Sequence, residues 1–173
     1  MSDRGARLIL VTGGARAGKS AFAQEWAQAL GHPVSFIATA QPLDEEMRQR
    51  IERHQAERPP GWETLEEPLE VPQALLRAQG RVVLLDCLTL WVSNLMLAGR
   101  EVLLELENLL AAFAETDKTL LVVTNEVGMG IVPDNALARR YRDLLGVANR
   151  RLAEAADAVY LLVAGIPVKI KSP

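Results

Sequence analysis

The ten residues from Val11 to Ser20, VTGGARAGKS, follow an apolar run and precede a segment with helical patterning. Gly13, Gly18, Lys19 and Ser20 complete the pattern G-x-x-x-x-G-K-[ST] without mismatch. In a strand–loop–helix setting this pattern leaves few folds open. The backbone N–H groups of Gly13, Gly14, Ala15, Arg16, Ala17 and Gly18 would surround an anion, and the helix N-terminus adds its positive pole. Lys19 would reach the β and γ oxygens of a nucleoside triphosphate, and Ser20 would ligate Mg²⁺.

Apolar runs recur at Arg7–Thr12, Val34–Thr39, Val82–Asp86, Leu120–Thr124 and Ala158–Val163, with another at Pro167–Lys171. Most lack polar alternation, which suits strands covered on both faces by helices. Helical patterning occupies Ser20–Leu30, Glu45–Ala56, Pro72–Gln79, Leu88–Ala98, Glu101–Glu115 and Asn135–Ala155, the last with a break expected near Gly146. Gly31 suits the left-handed position after the first helix, Asp44 caps the second, and Pro59–Pro60 cannot continue it. A short edge strand is expected around Trp62–Leu65. The fold class expected is α/β: a P-loop NTPase-like three-layer fold with a mostly parallel central sheet flanked by helices, in a single nucleotide-binding domain over residues 1–173.

Size and composition agree with that reading. A chain of 173 residues, 49% hydrophobic and 24% charged, has the make-up of an ordinary globular domain that buries about two-thirds of its unfolded surface. A net charge of −3 argues against a surface built for nucleic acid. The apolar stretch Val82–Gly99 is interrupted by Asp86, Thr89, Ser93 and Asn94, so no membrane span is expected. The N-terminal apolar run is too short for a secretory signal, and a cytoplasmic protein is expected. Cys87 is the one cysteine and is read as a buried small hydrophobe.

Three further places bear on chemistry. RVVLLD ends in Asp86, the position of the acid that holds the magnesium in P-loop proteins. On the helix of LDEEMRQRIERHQAERPP, Met47, Ile51 and His54 share a face, with Arg50 one turn before His54 and Arg58 one turn after. An imidazole between two guanidiniums is a candidate nucleophile beside groups that draw in a polyphosphate; equally, such a histidine can be a packed side chain. His32, in a Gly–Pro turn, reads as a solvated loop residue. The loop VVTNEVGMGIVPDN follows the fourth run, where open parallel sheets place ligand-binding loops. Asn125 and Glu126 sit at that edge, Gly128 and Gly130 permit close backbone approach, and Asp134 is expected to cap the next helix.

In order, LVTGGARAGKS, FIATAQPLDEEMRQRIERHQAERP, WETLEEP, LLDCLTLWVSNL and VTNEVGMGIVPDNALARRYRDLLGVANRRL resemble the bifunctional adenosylcobinamide kinase and adenosylcobinamide-phosphate guanylyltransferase of cobalamin biosynthesis. The resemblance runs from about Leu8 to Lys171. The phosphate loop is shared by many families, whereas the histidine helix together with NEVGMGIVP is specific to this one. It implies phosphorylation of adenosylcobinamide by ATP or GTP, then transfer of GMP from GTP through a guanylylated histidine to give adenosylcobinamide-GDP and pyrophosphate. The matching histidine is His54. The resemblance also implies that Gly13 to Ser20, Ala38, Thr39, Ala40, Gln55, Ala56, Glu57, Arg58, Glu66 and Asp86 contact nucleotide, with Ser20 and Asp86 on Mg²⁺, in a homotrimer. The chain departs from the family in Ala17, where serine is frequent, and in Arg53–His54, where some members pair two histidines.

Two other classes fit the phosphate loop alone. A simple small-molecule kinase would keep phosphoryl transfer after His54→Ala. A nucleotide-gated regulatory module would bind nucleotide without forming a covalent adduct.

Overall fold

The computed structural model describes residues 5–173. The elements run β1 (Leu8–Gly13), α1 (Lys19–Ala29), β2 (Val34–Ala38), α2 (Glu45–Ala56), β3 (Glu63–Glu66), α3 (Val71–Arg77), β4 (Val82–Asp86), α4 (Leu88–Leu97), α5 (Val102–Ala114), β5 (Thr119–Val123), α6 (Ala136–Ala155), β6 (Ala158–Val163) and β7 (Ile166–Lys171). Seven strands form one sheet in the order β3-β2-β4-β5-β1-β6-β7. Every neighbouring pair is parallel except β6 and β7, which are antiparallel.

Alternate residues of the central strands feed two cores, as the period of a strand requires. Leu8, Leu10, Val83, Leu85, Leu120 and Val122 pack under α3, α4, α5 and α6, against Leu75, Trp91, Leu109 and Leu152. Ile9, Val11, Leu84, Leu121 and Val123 face the other way, toward Ala23, Trp26 and Ala27 of α1. Trp26 meets Tyr160 edge-on, with ring centroids 4.9 Å apart, which closes that layer over β6. These two cores make the expected three layers.

Element boundaries follow local chemistry. Asp44 caps α2 by accepting from Met47 N at 2.7 Å, and Gly31 takes φ 68° just beyond α1, both as the sequence predicts. Two expectations need correction. The cap of α6 is Asn135, not Asp134: the Asn135 side chain accepts from Ala138 N at 2.7 Å. And α6 runs unbroken from Ala136 to Ala155, because Gly146 lies on its exposed side while Leu145 and Ala148 anchor the same turn in the core. One exposed helical glycine costs only about 1 kcal/mol relative to alanine.

The strand order places the carboxyl ends of β4, β5 and β1 side by side. β4 pairs with β5 to the level of Asp86 and Val123, and β1 pairs with β5 to Val11 and Val123. Asp86, Asn125 and the phosphate loop therefore emerge along one edge of the sheet.

Candidate functional site

The loop between β1 and α1 is shaped by its backbone. Gly13 has φ 150° and Gly18 φ 91°, and Arg16 adopts φ 57°, a left-handed conformation uncommon outside glycine. A Cβ on Gly13 would stand 2.6 Å from the Leu162 carbonyl oxygen on β6, so no larger residue fits there. The turn between β6 and β7 supports the loop from outside: Gly165 N donates to the Ala17 carbonyl at 3.0 Å. Lys19 is buried, and its Nζ donates to the Gly14 carbonyl at 2.5 Å, curling the side chain over its own loop. Burial pulls the ammonium below the ordinary lysine range, opposed by the nearby Cys87 and Asp86.

Asp86 ends β4 next to this loop. Burial pushes its carboxyl above the ordinary range, against a hydrogen bond from the Ser20 hydroxyl and the positive field of His54, Arg58 and Lys19. A half-buried carboxylate bonded to a hydroxyl is a pair of hard oxygen donors suited to Mg²⁺, which keeps most of its other positions for water and phosphate. Among the described residues no cluster of three or more His, Cys, Asp or Glu side chains would hold a metal unaided, so phosphate oxygens would have to complete the shell. Cys87 follows through a cis peptide bond; burial and the adjacent Asp86 push its thiol up to about 12. The sequence reading expects a buried cysteine; Cys87 is instead half-buried and lines the cleft over this loop.

A cleft of about 740 Å³ opens over these groups. Ala15 through Ser20 line one side, Ala38, Ala40 and Asp86 the floor, and His54, Glu57, Arg58 and Glu66 the opposite side. His54 projects from α2 with its side chain 49% exposed and Nδ1 3.9 Å from a Glu57 carboxylate oxygen. Arg50, expected to flank His54, also reaches the cleft, though it pairs with Glu46 at 3.7 Å. Arg58 lies with its guanidinium 4.0 Å over the Phe36 ring, and its buried Nε has no hydrogen-bond partner among the described residues. The Nε is shielded, whereas Arg58 as a residue lines the cleft and brings a positive charge to it.

Of the residues the resemblance assigns to nucleotide, Gln55 lies outside this cleft. It lines a neighbouring hollow with Arg58, Trp62 and Glu66, and its amide donates to the Glu66 carboxylate at 2.6 Å. Gly13 and Gly14 shape the loop from beneath, and Ala56 sits on the exposed side of α2. Thr39 is fully buried. Its hydroxyl donates to the Cys87 carbonyl at 2.8 Å and accepts from Cys87 N at 3.0 Å, so it braces the carboxyl ends of β2 and β4. The cleft also holds residues outside that set, notably Thr89 and Asn125. Only the position of Asn125 at a strand end signalled it in the sequence.

Comparison with known proteins gives a consistent result. A family profile described as cobinamide kinase / cobinamide phosphate guanyltransferase matches residues 9–170. A Pseudomonas aeruginosa protein, bifunctional adenosylcobalamin biosynthesis protein CobP, is 46% identical over 167 residues, covering 94% of this chain and 96% of that one. The bifunctional adenosylcobalamin biosynthesis proteins CobU of Salmonella typhimurium and Escherichia coli are 43% and 42% identical, each over 95% of this chain and 99% of the relative.

Proposed function

The chain belongs to the cobinamide kinase / cobinamide phosphate guanyltransferase family, and from that premise we propose that it carries out both reactions with one cleft. The first transfers a phosphoryl group from ATP or GTP to the hydroxyl of adenosylcobinamide. In the second, GTP gives GMP to His54, and adenosylcobinamide phosphate takes it to form adenosylcobinamide-GDP. The observation that carries the reading is a single one: the phosphate loop, Asp86 and His54 line the same cleft.

The amides of the loop bind and orient the triphosphate, and Lys19 neutralises its β and γ oxygens. Ser20 and Asp86 would hold Mg²⁺, which when bound neutralises charge on the phosphate oxygens. In the guanylyl half, a ring nitrogen of His54 bonds to the α-phosphorus as the bond to the pyrophosphate oxygen breaks. The phosphate oxygen of adenosylcobinamide phosphate then bonds to that phosphorus, and the ring is released. Two easier displacements replace one hard one. Glu57 beside Nδ1 supports Nε2 as the attacking atom, and the guanidinium of Arg58, a residue that lines the cleft, would take a phosphate oxygen. Gly13 to Ser20, Ala38, Ala40, Glu57 and Glu66 would contact nucleotide, with Thr39 acting through the brace it makes and Gln55 through its bond to Glu66.

No helix of the described residues is long and apolar enough to cross a membrane. With nucleoside triphosphates as substrates, the proposal includes a cytoplasmic location, and the family resemblance extends it to a homotrimer. The test is to supply adenosylcobinamide, Mg²⁺ and nucleotide labelled at the γ- or the α-phosphate. Both labels should appear in corrinoid product, and His54→Ala should stop at the monophosphate. Product from γ-label alone with wild-type protein would reduce the chain to a simple kinase.

A further inference from the structure

Asn125 stands just past the end of β5, between the strand that ends in Asp86 and the strand that leads into the phosphate loop. Its main chain is held on both sides by side chains from two different helices. Asn125 N donates to the Thr89 hydroxyl of α4 at 2.7 Å, and the Asn149 amide of α6 donates to the Asn125 carbonyl at 3.0 Å. Asn149 is itself fixed, because its amide oxygen accepts from the Thr124 hydroxyl at 2.7 Å. The next residue joins the loop directly: Glu126 N donates to the Gly13 carbonyl at 3.0 Å. With its backbone N–H and C=O both engaged, Asn125 lines the same cleft as Lys19, Ser20 and Asp86. Its side chain has no hydrogen-bond partner among the described residues.

A backbone clamped by a second layer of residues fixes the point from which the side chain emerges. Structural duty alone would leave the amide engaged with protein, as the amide of Asn149 is. We propose that Asn125 is a catalytic residue of the phosphoryl-transfer reaction, donating its amide N–H to an oxygen of the terminal phosphoryl group as that group moves. The proposal rests on the reading of the cleft given above. The bond changes are those of the kinase reaction itself. The acceptor hydroxyl oxygen bonds to the γ-phosphorus, the bond from that phosphorus to the β–γ bridging oxygen breaks, and the hydroxyl proton passes to the transferred phosphate. The amide stays intact, and its work is to stabilise charge that develops at the γ-phosphoryl group.

This assignment separates the two half-reactions. In guanylylation of His54 the reacting centre is the α-phosphorus, so charge does not build up on the terminal phosphoryl group in the same way. Loss of Asn125 should therefore slow one reaction and spare the other. A purely structural role would disturb both.

The experiment uses full-length Asn125→Ala and the isosteric Asn125→Asp. Phosphorylation of adenosylcobinamide is followed with Mg²⁺ and ATP or GTP, and formation of the GMP adduct on His54 with GTP and Mg²⁺ but no corrinoid. The proposal expects kcat for phosphorylation to fall roughly 100-fold or more in both variants, with KM for nucleotide within about 3-fold. The rate of adduct formation should stay within about 3-fold of wild type. If Asn125→Ala fails to fold, Asn125→Asp decides, since it keeps the shape and replaces the donor with an anion. Undiminished kcat in either folded variant, a loss confined to KM, or equal loss of both activities would overturn the assignment. Absence of both activities in wild-type protein would instead overturn the reading on which it rests.

Discussion

Asp86 shows how taking a single carboxylate out of water costs stability. Its carboxyl is raised by burial despite the pull of the Ser20 hydroxyl, His54, Arg58 and Lys19. The folded protein therefore binds that proton more tightly than the unfolded chain does. Stability from this group is full at pH below the unfolded value and is lost as pH rises through the folded value. Asp86→Asn removes the penalty, so the variant should melt above wild type at pH 8 without ligand, by roughly 2–4 °C for each ~1 kcal/mol relieved. The gap should close as pH falls through the carboxylate range. Thermal melts with pH check this, and a variant less stable than wild type at pH 8 would refute it. The same substitution should abolish stabilisation by Mg²⁺-nucleotide. The site's acids and loop were legible in the sequence because their spacing is itself the chemistry. The role of Thr39 was not, since its bonds to Cys87 join two strands far apart in the chain.

At the scale of elements, α2 differs from every other helix over this sheet. It carries His54 yet buries none of its residues, whereas α5 and α6 bury an apolar stripe. A helix without a buried face draws little stability from packing. Its exchange of backbone hydrogen for deuterium should therefore be much faster than that of α6, and should slow when GTP and Mg²⁺ draw His54, Arg50 and Arg58 onto phosphate. Asp44→Ala, which removes a cap worth about 1 kcal/mol, should speed exchange in Glu45–Ala56 and leave α6 unchanged. Equal protection of the two helices without ligand would contradict this. The interior strands were visible as unbroken apolar runs, because both of their faces are covered. Finer punctuation was harder to read. Asp134 and Asn135 are both good caps by type, and residue type alone does not say that Asn135 is the one that bonds the helix.

The whole molecule leaves apolar surface where a sheet and a loop end. β7 is an edge strand with Ile166 65%, Val168 44% and Ile170 58% exposed, and the loop after β5 exposes Met129 at 81% and Ile131 at 97%. Exposed edges and patches of this kind are commonly covered by assembly. Under the proposed trimer, light scattering should return three times the 18.9 kDa chain mass, and a mass of one chain would contradict it. Nothing in the sequence marks which of these surfaces meets a partner, since apolar residues on an edge strand and in a core strand look alike.

The central claim is that one cleft serves two chemistries through His54. Intact-mass analysis after incubation with GTP and Mg²⁺, beside His54→Ala, tests it most directly. The account predicts a gain of one GMP that is labile to acid, stable to base and absent from the variant. Wild-type protein that converts adenosylcobinamide yet never gains that mass, or a variant that gains it equally, would contradict the account.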